Sequence, residues 1–192
     1  MGKLPDGLLY SNIRVEVGVE ELIGSTPWLF RTEARQECFM TDKGGVSYTY
    51  GSGRGIRTYT SVPYTPEVLR TLRAVTGFLI GVHRFTDQTY KIKLNGCFLN
   101  YYKGKKQHLG WHADDFIGMD HSFPIAIVSF GEPREIWWRK IGEKGEVRNK
   151  QLLENGSILI MPPGMQKTHE HRIPKGDRSM GPRVSMTFRR FK

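Results

Sequence analysis

The sequence predicts a mainly β, α+β fold, in which an antiparallel sandwich or barrel carries helices packed on one side. The first observation is the segment TPEVLRTLRAVTGFLIGVH, in which apolar residues recur at helical spacing. The second is a series of short apolar segments after it, each bounded by Gly, Pro, Asn or charged residues: NGCFLNYY, IAIVSFG, REIWWRK, NGSILIMPP and RVSMTFRRF. An early helix followed by strands at short intervals favours this antiparallel architecture.

The first strand with a clear period lies in VSYTY. Val46, Tyr48 and Tyr50 alternate there with hydroxyl-bearing residues, which is typical of a β-strand. The Gly-rich stretch that follows, GSGRGIRTYTSVPYTP, predicts a loop that carries Arg54 and Arg57. This part of the chain is therefore expected to hold a strand and a positively charged loop.

The helical segment has a defined start. Thr65 is a suitable N-cap, and Pro66 occupies the first helical position, where its missing N–H costs nothing. Val68 and Leu72 then continue an apolar face. Gly77 is expected to end the helix, because glycine often follows the last helical residue.

The later segments predict strands within one domain. In REIWWRK, Trp137 and Trp138 fall on opposite faces of a strand, so one of them is expected in the core. A chain of 192 residues is long enough for one well-formed core, and no composition shift marks a domain boundary.

Composition and charge narrow the function classes. With only Cys38 and Cys97, and no Cys-x-x-Cys pattern, neither a secreted disulfide scaffold nor a cysteine zinc site is expected. No apolar run approaches the roughly 20 residues of a membrane helix, and MGKLPDG lacks the apolar core of a signal peptide. We therefore expect a soluble intracellular protein. The net charge of +10 favours polyanionic partners, nucleic acid first and acidic lipid second.

The segment LGWHADD places His112 and Asp114 two residues apart. On a strand such residues share a face, so an imidazole and a carboxylate would project side by side. Such a pair can hold a metal, act as an acid/base pair or form a surface salt bridge. Downstream, KTHEHRIPKGD offers His169 and His171 as a third ligand. Two histidines and one carboxylate, with open positions left on the metal, are the ligand set of non-haem Fe(II) oxygenases.

The segment PRVSMTFRR supports a carboxylate-bearing co-substrate. On a strand, Arg183, Ser185, Thr187 and Arg189 share one face, while the residues between them face the other side. Two arginines beside two hydroxyls inside a barrel are costly unless they meet an anion. The planar guanidinium group suits a carboxylate well.

Each of these features has an ordinary explanation on its own. A His-x-Asp pair occurs by chance, HEH can be a solvated segment, and arginines can be surface charges of an edge strand. A cupin-like zinc hydrolase would also use two histidines and a carboxylate, but it does not need the arginine pair, and no general-base glutamate accompanies the motif. The combination, in this order, favours the Fe(II) oxygenase hypothesis.

From about VSYTY to the end, the sequence resembles the AlkB family of Fe(II)- and 2-oxoglutarate-dependent dioxygenases, and its nucleic-acid repair members most. The matching pieces are LNYYKGKKQHLGWHADD, PIAIVSFG, NGSILIM, HRIP and PRVSMTFR. The resemblance implies a double-stranded β-helix, or jelly-roll, core like that of cupins, with helices on one side. It implies a single domain over residues 1–192, with an N-terminal extension and nucleotide-recognition region at 1–60 and the jelly-roll core at 90–192.

The resemblance also implies roles for individual residues. Three would be catalytic iron ligands: His112, Asp114 and His171. His171 is preferred to His169 because it opens HRIP and precedes Arg183 by a family-like spacing, although His169 would point to the same face. Six residues would bind 2-oxoglutarate or support its pocket: Asn100, Tyr102, Arg183, Ser185, Thr187 and Arg189. Ser185 stands where asparagine is frequent in the family, so its contact is expected to be weaker.

Five residues would contact the substrate: Tyr48, Tyr50, Asp115, Arg54 and Arg57. The tyrosines would form an aromatic wall for an extruded base, with His112 stacking from the metal side, although strand tyrosines also fill cores. Asp115 would bind an exocyclic amine, and the arginines would bind phosphates. Repair members often carry an acidic residue after the second aspartate, where Phe116 stands here. ARQECFM lies where they carry a base-proximal segment.

The implied activity is oxidative demethylation, or dealkylation, of N-alkylated bases in DNA, with release of aldehyde, succinate and CO₂. It implies Fe(II), 2-oxoglutarate and O₂, single- or double-stranded DNA or RNA as partner, and a monomer that binds no membrane. The expected location is the cytoplasm, nucleoid or nucleus. The alternatives are the same chemistry on RNA, on another nucleobase modification or on protein, and a non-catalytic nucleic-acid-binding module.

Overall fold

The computed structural model describes residues 7–50, 56–83, 93–114, 118–145, 149–176 and 180–192. In its first half the elements are β1 (Leu9–Ser11), α1 (Val19–Ser25), β2 (Leu29–Thr32), β3 (Arg35–Thr41), β4 (Ser47–Tyr50), β5 (Arg57–Thr60), β6 (Val62–Pro63) and α2 (Pro66–His83). The second half contains β7 (Gly96–Tyr102), β8 (Leu109–His112), β9 (Ile125–Gly131), β10 (Arg134–Lys140), β11 (Asn149–Leu153), β12 (Ser157–Met161), a 3₁₀ turn (Met165–Lys167), β13 (His169–Ile173) and β14 (Arg183–Arg189). Strands therefore form at all the apolar segments named above.

The strands form two main sheets and a separate hairpin. The major sheet has the order β1-β12-β9-β14-β7-β3-β2, with β6 beside β3, and the minor sheet has the order β11-β10-β13-β8. From β7 to β14 the chain crosses repeatedly between the two sheets, and all pairs among these strands are antiparallel. This is the wrapping of a double-stranded β-helix, so the expected jelly-roll core is confirmed. The hairpin β4–β5 forms a two-stranded sheet of its own.

The alternation of side chains along each strand builds two hydrophobic cores. One face of the major sheet packs against both helices, where Leu22 of α1 and Val68 and Leu79 of α2 are buried. The other face packs against the minor sheet, for example Ile127 of β9 near Ile136 of β10. Both helices thus lie on one side of the major sheet, as predicted, and the second core surrounds the candidate site.

Helix α2 begins as predicted and ends later. The Val68 N–H donates to Thr65 Oγ1 at 3.4 Å, and Pro66 is the first helical residue. The prediction that Gly77 ends the helix is wrong, since α2 continues to His83. The reason is tertiary, because Leu79, beyond the glycine, is buried against the major sheet. No helix in the described ranges is long and apolar enough to cross a bilayer.

The two tryptophans of β10 lie on opposite faces, as predicted. Trp138 is buried between the sheets, with 1% of its surface exposed. Trp137 is half-buried on the other face, where the Arg172 guanidinium lies 4.4 Å from its ring centroid. The inner face of the minor sheet is therefore apolar at this point and directed towards the candidate site.

Candidate metal and co-substrate site

Two strands of the minor sheet bring three potential metal ligands together. His112 ends β8 and pairs directly with His171 of β13 in the antiparallel register. Asp114 follows two residues after His112, beyond the end of the strand rather than on it as predicted. The ligand atoms of the three side chains lie within 4.8 Å of one another. The structure therefore assembles the His-x-Asp and distal histidine pattern found in the sequence.

The neighbouring histidine does not join this group. His169 pairs with Lys140 in the register of β13 and β10, and its Nδ1 lies 2.8 Å from Thr168 Oγ1. The metal-ligand group that forms in the described part of the chain contains His171 instead. The geometry thus agrees with the choice of His171.

Hydrogen bonds orient the ligand atoms. The Nδ1 atom of His112 lies 2.9 Å from the Gly110 carbonyl oxygen, so an N–H at Nδ1 leaves the Nε2 lone pair available to a metal. The Asp114 backbone N–H donates to Gln166 Oε1 at 2.9 Å, and Gln166 is itself buried. Arg189 Nη2 lies 2.8 Å from Asp114 Oδ1. Asp114 Oδ2 has no hydrogen-bond partner within the described ranges.

The environment sets the protonation states that a metal needs. Burial alone would raise the pKa of Asp114, but Arg189 and the two imidazoles outweigh burial and hold the pKa of this carboxyl well below its usual range. Burial lowers the pKa of His171 to about 3, and the nearby His112 acts in the same direction. Burial also lowers the pKa of His112. At neutral pH the site therefore presents one carboxylate and two neutral imidazoles, the forms that bind metals.

A narrow cavity extends from the three ligands between the two sheets, and we call it the inner cavity. All six predicted co-substrate residues line it: Asn100, Tyr102, Arg183, Ser185, Thr187 and Arg189. They come from two adjacent strands, since β14 pairs with β7 so that Arg183 lies opposite Tyr102 and Ser185 opposite Asn100. The predicted common face of β14 is therefore the wall of this cavity.

Arg183 is a buried cation at the far wall of the inner cavity. Its Nε donates to Ser129 Oγ at 2.8 Å, whereas Nη1 and Nη2 have no hydrogen-bond partner among the described residues. The guanidinium carbon lies 5.1 Å from the Tyr102 ring centroid. Burial lowers the pKa of Arg183 to about 10, so the group stays protonated at neutral pH. Two buried donors without partners fit a bidentate carboxylate.

Arg189 occupies a different position from that of Arg183. It binds the Asp114 carboxylate and lines the inner cavity next to the metal ligands. The two arginines of the predicted strand thus stand at opposite ends of one cavity, one beside the metal ligands and one remote from them. A short dicarboxylate that chelates the metal and extends along the cavity fits this arrangement.

A second cavity adjoins the ligands, and we call it the outer cavity. It shares five lining residues with the inner cavity: Asn100, Leu109, His112, Asp114 and Arg189. Its further walls come from β3, from Tyr48 of β4 and from Phe98 of β7. His112 and Asp114 therefore line both cavities, and His171 lines the inner one.

Tyr48 reaches the outer cavity from the hairpin. Its ring lies 5.8 Å from Phe98 in an edge-on arrangement and 5.2 Å from Phe39, measured between centroids. Only 5% of its surface is exposed. Tyr48 thus belongs to the aromatic core and also lines the outer cavity.

Of the other predicted substrate residues, only the side chain of Arg57 lies within the described part of the chain. Tyr50 ends β4, but its side chain lies outside the described residues. Arg54 and Asp115, like Phe116, also lie outside them. Arg57 begins β5, and its Nη1 lies 3.7 Å from Glu37 Oε2. A phosphate contact by Arg57 would therefore compete with this ion pair.

Sequence reasoning missed several residues of the site. Arg35 and Glu37 of β3 line the outer cavity, and Gln166 fixes the Asp114 backbone. The segment ARQECFM had been identified as base-proximal, and its Arg-x-Glu spacing places both charges on one strand face. That spacing is the signal that could have identified the pair. Gln166 had no such signal, because its contact spans 52 residues of sequence.

Comparison with known proteins agrees with this geometry. The family model described as 2OG-Fe(II) oxygenase superfamily matches residues 19–189. The human "Alpha-ketoglutarate-dependent dioxygenase alkB homolog 3" is 31% identical over 184 residues, which cover 89% of this chain and 59% of that protein. The mouse "DNA oxidative demethylase ALKBH2" is 30% identical over 153 residues, which cover 77% of this chain and 58% of that protein. The solved structure of OsALKBH1 shares the fold, with a TM-score of 0.69, 18% identity, and coverage of 98% of this chain and 100% of that one.

The chain therefore belongs to the 2OG-Fe(II) oxygenase superfamily and, within it, to the AlkB family. It spans 59% of the length of the human relative named above. The family implies Fe(II), 2-oxoglutarate and O₂. The residues fit these groups, because Asp114 Oδ2 and the two Arg183 Nη atoms are buried polar atoms without hydrogen-bond partners in the part of the chain described here.

Proposed function

We propose that this protein is an Fe(II)- and 2-oxoglutarate-dependent enzyme that removes alkyl groups from N-alkylated bases in DNA and releases aldehyde, succinate and CO₂. The observation that carries the proposal is the group of His112, Asp114 and His171, two of which, His112 and Asp114, line both cavities. One cavity ends at a buried arginine and the other has an aromatic wall. A co-substrate at the arginine and a base at the aromatic wall would therefore both lie beside the proposed metal ligands.

The proposed ligand assignment follows the protonation states. His112 and His171 would each donate a neutral nitrogen, and Asp114 would donate its Oδ2 while Arg189 holds Oδ1. With three protein ligands, the metal keeps open positions for a bidentate co-substrate and O₂. Gln166 and Gly110 would fix the orientation of the ligands through their hydrogen bonds.

The proposed co-substrate assignment uses the length of the inner cavity. Arg183 would bind the remote carboxylate of 2-oxoglutarate through Nη1 and Nη2, with Tyr102 against the guanidinium. Asn100, Ser185 and Thr187 would line the middle of the cavity. Arg189 would lie near the carboxylate at the metal end while keeping its contact with Asp114.

The metal, when bound with its co-substrates, supplies the oxidation of the alkyl carbon. In the overall reaction, an N-methyl base, O₂ and 2-oxoglutarate give the demethylated base, formaldehyde, succinate and CO₂. The protein's own part is to orient the reactants and to keep water from the reacting carbon. The apolar residues of the inter-sheet core, such as Ile127 and Ile136, surround the site and serve this purpose.

Three features support a nucleic-acid substrate. The net charge of +10 favours a polyanion. Tyr48 and His112 line one cavity, so a base drawn out of a strand can pack between aromatic rings beside the metal. The name of the mouse relative specifies DNA.

We propose, in addition, that residues 1–192 form a single domain, with 1–60 contributing to nucleotide recognition and 90–192 forming the core, and that the protein acts as an intracellular monomer.

The proposal is tested by anaerobic reconstitution with Fe(II) and 2-oxoglutarate, followed by O₂ and mass spectrometry of an oligonucleotide that bears 1-methyladenine or 3-methylcytosine. Loss of one methyl mass with matching succinate is the expected result. Succinate without loss of the methyl group would move the substrate to RNA, another modification or protein. Failure to bind Fe(II), with neither product formed, would overturn the enzyme proposal and favour a non-catalytic binding module.

A further inference from the structure

A fully buried carboxylate lies on the wall of the outer cavity. Glu37 of β3 has no exposed surface, yet its side chain lines this cavity together with Tyr48, His112 and Asp114. A buried carboxylate is costly unless other groups compensate for its lost hydration. The groups that contact the Glu37 carboxylate therefore bear on its role.

Three side chains hold the Glu37 carboxylate. Tyr59 of the hairpin donates its hydroxyl hydrogen to Oε2 at 2.6 Å. Arg35 Nη2 lies 2.5 Å from Oε1, and Arg57 Nη1 lies 3.7 Å from Oε2. Oε1 is in this ion pair with Arg35 and has no hydrogen-bond partner among the described residues. Tyr59 and Arg57 thus hold one oxygen, and the other pairs with the Arg35 guanidinium while keeping the capacity to accept a further hydrogen bond.

The anchoring groups are themselves fixed. Arg35 Nε donates to Asn100 Oδ1 at 2.8 Å, so the guanidinium bridges the Glu37 carboxylate and a residue shared by both cavities. Burial, followed by the bond to Glu37, raises the pKa of Tyr59 to about 12, so this hydroxyl stays protonated and remains a donor. The position of the carboxylate is therefore set before any base enters.

We propose that Glu37 is a specificity-determining residue, whose carboxylate accepts a hydrogen bond from the exocyclic amino group of the N-alkylated base. This inference rests on the proposed function. An ionised carboxylate only accepts hydrogen bonds, so it matches the amino group of an alkylated cytosine or adenine and opposes the carbonyl oxygen of an alkylated uracil. β3 would thus supply the acidic group at the base edge in a chain that has Phe116 after its second aspartate.

The alternative is that Glu37 only anchors the hairpin through Tyr59. The two roles predict different behaviour of matched variants. Glu37→Gln keeps the size of the side chain and an oxygen for the Tyr59 hydroxyl, but it replaces a pure acceptor by an amide that can donate. Tyr59→Phe removes the anchoring bond and leaves the carboxylate in place. If Glu37 is only an anchor, Glu37→Gln should keep the wild-type substrate preference, because its amide oxygen still accepts the Tyr59 hydrogen bond. If Glu37 determines specificity, the preference should fall in Glu37→Gln and stay in Tyr59→Phe.

The experiment uses two oligonucleotides that are identical except at one base, 3-methylcytosine or 3-methyluracil, which carry an amino group in a cationic ring and an oxo group in a neutral ring, respectively, at carbon 4. For wild type and each variant, kcat/KM is measured for both, together with anaerobic equilibrium binding in the presence of Fe(II) and 2-oxoglutarate. We expect wild type to prefer 3-methylcytosine, and Glu37→Gln to reduce this preference at least about tenfold in both measurements. Tyr59→Phe is expected to lower kcat/KM and affinity by the same factor for both oligonucleotides, so the ratio between them should stay at its wild-type value.

Each other outcome is decisive. If Glu37→Gln keeps the wild-type ratio of kcat/KM for the two oligonucleotides, whether or not both values fall, Glu37 is only an anchor and the inference is overturned. It is also overturned if Asp115→Asn removes the preference while Glu37→Gln keeps it. If wild type acts on neither oligonucleotide, the proposed function fails first. Succinate formation without oligonucleotide, together with thermal unfolding, shows for every variant that the metal site and the fold are retained.

Discussion

His171 lies directly opposite His112 across the β13–β8 ladder, with their ring centroids 4.2 Å apart. The two residues are far apart in sequence, and the register of two minor-sheet strands alone brings them to one point. On the β10 side, His171 lies opposite Trp138 and His169 opposite Lys140, but in the β13–β8 register His171 is the histidine that lies opposite His112. The register therefore distinguishes two histidines that the sequence presents almost equally.

The first prediction uses these two histidines as a matched pair. We expect His171→Ala to lower Fe(II) affinity and turnover by more than about a hundredfold, since losing a ligand costs more than losing an outer hydrogen-bond partner. His169→Ala is expected to retain both. Iron binding by anaerobic titration and succinate formation are the measurements. Equal losses in the two variants would contradict the assignment of His171.

The second prediction concerns the pH dependence of stability without metal. The pKa of His171 is lowered from 6.5 to about 3, so between these values the unfolded chain binds more protons than the folded one. The free energy of unfolding should therefore be intact above about pH 6.5 and decline as the pH falls towards 3, by up to about 1.4 kcal/mol per pH unit for this one group. Urea unfolding of the metal-free protein across this range measures the slope.

The control for this slope is His171→Gln, which removes the titrating group and keeps a polar side chain. Its unfolding free energy should depend less on pH between 6.5 and 4 than that of wild type. A wild-type slope that the substitution leaves unchanged would show that other groups cause it. Asp114 does not interfere in this interval, because its pKa is lowered and its stabilising contribution is lost only at more acidic pH.

The third prediction separates the two arginines of β14. Arg183→Lys should weaken 2-oxoglutarate binding about tenfold or more and leave Fe(II) affinity unchanged, because lysine lacks the bidentate geometry. Arg189→Lys should weaken the binding of both, because Arg189 contacts the Asp114 carboxylate at 2.8 Å. Anaerobic titrations of each component measure this. The same profile for both variants would contradict the positions assigned to the two arginines.

The fourth prediction tests the aromatic wall. Tyr48→Ala should reduce kcat/KM for an alkylated oligonucleotide by about 5- to 150-fold, the range that corresponds to base–aromatic stacking of about 1–3 kcal/mol. Tyr48→Phe keeps the ring and should retain most activity. Because Tyr48 also belongs to the inter-sheet core, succinate formation without oligonucleotide and thermal unfolding are measured in parallel. A large loss in Tyr48→Phe would show that the hydroxyl, rather than the ring, matters.

The strands were predictable because each is a short apolar segment with clear boundaries, as IAIVSFG is. The end of α2 was not, because local propensity at Gly77 is outweighed by packing of Leu79 onto the major sheet. Within the site, too, features set by local spacing were predictable and features set by tertiary contacts were not. Spacing alone placed Arg183 and Ser185 on one face, since the period of a strand is local.

The outer cavity was harder to predict because it depends on contacts between distant parts of the chain. Glu37 reaches it only because β3 pairs with β7, opposite Asn100. Tyr48 reaches it through a hairpin that belongs to neither main sheet. No local pattern encodes either placement, so the sequence indicated a base-proximal segment without identifying its carboxylate.

The central place of β14 in the major sheet has a consequence for synthesis on the ribosome. It is the last strand of its sheet in chain order, yet it lies between β9 and β7 and joins them. A nascent chain that ends before residue 183 would therefore hold two separate parts of the sheet with unpaired edges facing each other, and such edges invite aggregation. Since the same strand carries Arg183 and Arg189, pairing of β14 would join the two parts of the major sheet and complete the proposed co-substrate pocket together.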